Sequence, residues 1–154
     1  MIRLVTYPIG FIAAVLVAEV LGAIFQVQGT IMQQFAPLGI EVPLEDQLSW
    51  TLHDIVGLYT AGAYPLLYPT LIAAGFLIAF IVAGFAARAM PGLRTVVFTI
   101  AGAVAMFALL FLSKPVFFDV TLIYGGRDMV PMAMQGLAGA AGGLVFALIT
   151  RKRA

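Results

Sequence analysis

A carboxylate in the middle of an apolar stretch is the residue in this sequence best placed to do chemistry. Glu19 is the only charged residue in the run from Leu4 to Phe25. At the centre of a bilayer such a group costs about 2.5–3.5 kcal/mol on insertion scales, so it faces protein or water and not lipid. On a helix Ile12, Val15, Gly22, Ala23 and Gln26 share its side. Small and amide residues beside an acid mark a packing face. Two roles are then open to Glu19. It can clamp two helices together, or it can take up a proton or a cation, as an unpaired buried carboxyl does. The clamp is the favoured expectation. Gln135 is the expected partner, because Glu19 lies seven residues inward of Gln26 and Gln135 seven inward of Asp128. At 1.5 Å per residue both sit about 10 Å below the outer helix ends. Arg127 or Lys114 could reach down to neutralise the pair, since long basic side chains snorkel.

His53 is the only histidine, and Asp54 follows it. Adjacent residues on a helix point in different directions, so the two do not form a ready-made dyad. One histidine without cysteine cannot build a conventional metal site and offers at most one axial haem ligand. With Asp46 and Ser49 it falls on the polar side of a helix, where an outward-facing interfacial histidine is expected. A catalytic or pH-sensing use of His53 and Asp54 is the lesser reading.

Gly125-Gly126-Arg127-Asp128 opens the last apolar segment. Asp128 suits an N-cap, and Pro131 is tolerated in a first turn. Glycines and an arginine at a helix start can also hold a lipid phosphate. Nothing resembles a full phosphate loop, so capping is favoured. Gln26, Gln28, Gln33 and Gln34 could line a polar vestibule or belong to a solvated loop. The chain has no cysteine, which removes disulfides, thiolate metal sites and cysteine nucleophiles together. It also lacks paired catalytic carboxylates, an HExxH helix and a dinucleotide fingerprint. No cofactor or metal is expected, and nothing argues for an enzyme.

The elements that must position these groups follow from composition. Of the 154 residues 63% are hydrophobic and 10% charged, and the mean hydropathy is +1.10. Soluble domains run near half apolar and a quarter charged. So short a chain could not bury this much apolar surface in water, so it needs a lipid bilayer. A net charge of +1 is no footing for nucleic acid. Spans about 20 residues long are expected at about 4–25, 65–87, 95–112 and 129–150, with outer loops at about 26–64 and 113–128. The fold class is an all-α membrane protein, a single antiparallel bundle of four transmembrane helices.

Charge sets the expected orientation. Arg3, Arg88, Arg94, Arg151, Lys152 and Arg153 fall on one side, while Glu41, Glu45, Asp46, Asp54, Asp119 and Asp128 fall on the other. Basic flanks stay inside, so both termini and the tight 88–94 turn are expected in the cytoplasm of a bacterial-type inner membrane. The layout is similar to that of many small bacterial inner-membrane proteins, without a shared motif. In the first outer loop Pro43 opens a stretch with Leu44, Leu48, Leu52, Ile55 and Tyr59 at helical spacing, which predicts a short amphipathic helix on the outer face. Val116 to Tyr124 is open between strand and helix.

Small residues let helices approach closely in lipid. Gly75, Ala79, Ala83 and Ala87, then Ala101, Ala105 and Ala108, then Gln135, Ala138, Gly139, Gly142 and Gly143 form three such faces. Packing within the monomer is favoured over a homo-oligomer or a membrane-protein partner at these faces. The expected function is non-enzymatic: an accessory, scaffold or assembly component of a membrane complex. The alternative is a small oligomeric transporter or channel in which Glu19 couples to a proton or cation.

Overall fold

A computed structural model of the chain describes residues 2–60, 66–116 and 129–151. Among them are five α-helices and no strand: α1 (Ile2–Thr30), α2 (Leu44–Thr60), α3 (Leu67–Ala89), α4 (Arg94–Val116) and α5 (Met129–Ile149). Four are long and apolar enough to cross a membrane, namely α1 with its extension to Leu38, α3, α4 as far as Leu112, and α5. An apolar segment in lipid must satisfy its backbone internally, which a helix does within one stretch of chain. Pro69 and Pro131 fall in the first turns of α3 and α5, where the missing N–H removes no helical bond.

The helix at the N-terminal end runs well past the expected boundary at Phe25. It continues to Thr30, widens into a π-turn over Ile31–Phe35 and tightens into a 3-10 turn over Ala36–Leu38. Gly39, at φ 68°, stops it in the left-handed conformation. The glutamines after Phe25 lower the hydropathy without breaking the helix, since glutamine is a good helix former. Much of the expected outer loop is therefore helix. α2 begins just after Pro43 with Glu45 and Asp46 in its first turn, which suits the positive end of the helix dipole. A 3-10 turn at Pro91–Leu93 joins α3 to α4.

α5 packs against both α1 and α4, and α3 packs against α4. The small residues of α5 make this possible. A Cβ at Gly139 would collide with the Gly102 carbonyl, and one at Gly143 with the Phe98 carbonyl. On its other side, a Cβ at Gly142 would stand 2.6 Å from the Ala14 carbonyl oxygen. The backbones of three helices thus touch at glycine, and the glycine stripe of α5 is spent within the chain. Gly102, absent from the small-residue face expected on the third span, is the residue that α4 contributes. Along the α1–α5 seam Gly10 meets Thr150, Gly22 meets Gln135 and Gly29 meets Pro131. The core between α3, α4 and α5 is aromatic. Phe80 stacks on Phe146 at 4.6 Å and meets Phe98 edge-on at 5.7 Å.

Candidate functional site

Glu19 projects from the middle of α1 and is almost fully enclosed, at 3% exposure, while Gln135 of α5 is completely buried. α1 and α5 do meet here, but the bond between them differs from the expected one. Gln135 donates from Nε2 to the backbone carbonyl of Gly22 at 2.9 Å. The reason lies at Gly22, where a Cβ would stand 3.0 Å from Gln135 Oε1. With no side chain in the way, the amide lies directly on the α1 backbone, and a carbonyl oxygen already in a helical bond keeps a second lone pair.

Glu19 is held from a different element. The phenol of Tyr59, near the end of α2, donates to Glu19 Oε2. Tyr68, in the first turn of α3 and 7% exposed, is close enough to feel the Glu19 charge. Three buried oxygens in this region have no hydrogen-bond partner among the described residues: Glu19 Oε1, Gln135 Oε1 and the Tyr68 hydroxyl. Two of them can only accept while Glu19 is ionised. A proton on Glu19 would turn one acceptor into a donor.

The α1–α2 contact continues outward from Tyr59. Gln28 donates to Gln47 Oε1 at 2.8 Å, and Gln47 donates in turn to the Val42 carbonyl at 2.8 Å. Phe35 packs on Trp50 with ring centroids 5.6 Å apart. Gln28 is thus a helix-to-helix contact, while Gln34 is exposed. Gln26 is half-buried and engaged with other groups. His53 is exposed beside Asp46 and Ser49. Asp54 is half-buried, and burial lifts its carboxyl above the usual range against the opposing pull of His53. No group of three histidine or acidic residues among the described residues could hold a metal ion. Arg127 and the Gly125–Asp128 turn lie outside the described residues, as does the 117–124 stretch.

Sequence reasoning gave Glu19 and Gln135 but missed Tyr59 and Tyr68 as their neighbours. Tyr59 carried a signal, its place at helical spacing on α2, yet nothing local ties it to a residue 40 positions away. Fold and site together define a class: a helical bundle, multi-pass by length and composition, with one enclosed carboxyl among the described residues. Neither a protein-family profile, nor a curated protein, nor a solved structure matches the chain.

Proposed function

We propose that the protein is a four-span antiparallel bundle of a bacterial-type inner membrane, with both termini cytoplasmic, acting without catalysis as an accessory, scaffold or assembly subunit of a larger membrane complex. The opposite order of the α1 and α5 contacts supports the antiparallel arrangement, and the basic residues at one end support the orientation.

The observation that carries the accessory role is the outer face of α2. Leu44, Leu48, Leu52 and Val56 are each more than half exposed, and they recur every four residues as one stripe. On the side turned to α1, Gln47 meets Gln28 and Tyr59 meets Glu19, while Asp46, Ser49 and His53 stay exposed. Of the expected apolar stripe, Leu44, Leu48 and Leu52 face outward, and Ile55 and Tyr59 are half-buried. The apolar α1 segment covers Val5–Leu38, 34 residues, or about 50 Å at 1.5 Å per residue. A hydrocarbon core is about 30 Å thick, so α1 carries the start of α2 beyond it. Leu44 and Leu48, displayed near that start, fit a partner subunit. The small-residue faces, by contrast, lend an oligomer no support, because α5 uses its glycines internally.

Blue-native electrophoresis after mild detergent extraction tests this role. The native chain should migrate well above its 16.4 kDa, and the double variant Leu48→Glu, Leu52→Glu should fall to the monomer while still inserting. A lone native monomer would sink the proposal. A second reading, transport coupled through Glu19, is favoured by its buried Oε1, which has no hydrogen-bond partner among the described residues.

A further inference from the structure

At the end of the bundle opposite α2, α1 and α3 barely touch, because α1 leans on α5 and α3 on α4. Between them opens a cleft of about 1140 Å³, somewhat larger than the usual ligand pocket of about 300–1,000 Å³. Its floor is aromatic, built from Phe11, Phe80, Phe98 and Phe146. Its side walls are Tyr7 and Pro8 on α1 and Leu77, Ile81 and Gly84 on α3. Tyr7, Leu77 and Ile81 are about half exposed, so the cleft is open sideways between the two helices.

The mouth is cationic. Arg88, Arg94 and Arg151 all line it, and among the described residues no carboxylate does. Arg94 is pinned in place: it donates to the Ala147 carbonyl at 2.8 Å and to Thr150 Oγ1 at 2.5 Å, with its guanidinium 4.9 Å above the Phe98 ring. Two of its five N–H donors serve the end of α5, leaving the others for a ligand. Arg88, over the Phe85 ring at 5.2 Å, and Arg151 are exposed and can close on the same anion.

An apolar trough with a lateral opening and three arginines at one end matches a molecule that is apolar along its length and anionic at its tip. We infer that the cleft binds one anionic phospholipid, an acyl chain lying over the phenylalanine floor and the phosphodiester held by Arg88, Arg94 and Arg151. Basic pockets between helices at the cytoplasmic surface bind anionic headgroups in this way. The inference rests on the four spans and their orientation but not on the accessory role, so loss of the complex on native gels would leave it standing.

Gly84 provides the decisive variant. It lines the cleft, and a Cβ there meets nothing within 4 Å. Gly84→Leu therefore projects a branched side chain into the trough from a Cβ with open space around it, and it gains helix propensity. The purified full chain in neutral detergent is titrated with dioleoyl phosphatidylglycerol, dioleoyl phosphatidylcholine or inorganic phosphate, and thermal unfolding is followed. Phosphatidylglycerol should raise the midpoint saturably, and the other two should not. Gly84→Leu should abolish the rise. Arg88→Ala with Arg151→Ala should weaken it about 25-fold, each basic group near a lipid anion being worth roughly fivefold. An equal rise with phosphatidylcholine, an equal rise with phosphate alone, or an undiminished rise in Gly84→Leu would each overturn the inference.

Discussion

At the scale of single residues, Glu19 decides between a clamp and a transport site, and its geometry says which substitutions separate them. Glu19→Gln keeps an oxygen for the Tyr59 hydroxyl and removes the need to enclose a charge. Glu19→Leu takes the acceptor from the half-buried Tyr59 hydroxyl, at a cost of about 1 kcal/mol. Unfolding in detergent should therefore show Glu19→Gln at least as stable as the native chain and Glu19→Leu clearly weaker. Proteoliposomes then test transport: a proton or cation flux present in the native protein and lost in Glu19→Gln supports coupling. No native flux, or a flux that Glu19→Gln retains, removes that reading. The burial of Glu19 was legible in the sequence, because an acid flanked by Gly22, Ala23 and Gln26 cannot face lipid. Its partner was not. Equal depth pointed to Gln135, whereas the absence of a side chain at Gly22 gives that amide a nearer acceptor on the backbone.

At the scale of elements, the seam between α4 and α5 depends on backbones that touch at Gly102 and Gly139. Gly139→Leu must push the helices apart along their whole contact, and we expect a loss of about 3 kcal/mol or more. Gly75→Ala is the control, since a Cβ there has nothing nearer than the Ala105 carbonyl at 3.9 Å, and it should be neutral or mildly stabilising. Equal losses for the two, measured by unfolding in mixed detergent micelles, would mean that the glycine contact is not what holds the seam. The GxxxG pattern of α5 was readable at once; its partner on α4 was obscured by Ala101, Ala105 and Ala108, which look equally small on paper. Element boundaries were legible where proline or charge stops a helix, as at 88–94. They were illegible after Phe25, because hydropathy falls there while helix propensity does not.

At the scale of the whole molecule, the orientation can be read directly because the chain has no cysteine of its own. Ser49 on α2 and Gly92 in the 3-10 turn are both exposed. In intact cells Ser49→Cys should react with a membrane-impermeant maleimide, and Gly92→Cys should react only after lysis; the reverse pattern would invert the topology. Four apolar runs were enough to give four helices long and apolar enough to cross a membrane. The side on which α2 turns its leucines required knowing what α1 offers it, and that is a tertiary fact. The unequal lengths of the apolar helices carry one more consequence. The α4 run of 19 residues is about 28 Å long and that of α1 about 50 Å, so no single tilt matches both to one bilayer. Thickening the membrane strands α4 before it troubles α1, and thinning it forces α1 to lean further or expose more of its outer end. In a bilayer the apolar run of α4, the shortest of the four, would set the upper limit of thickness that the bundle matches without distortion.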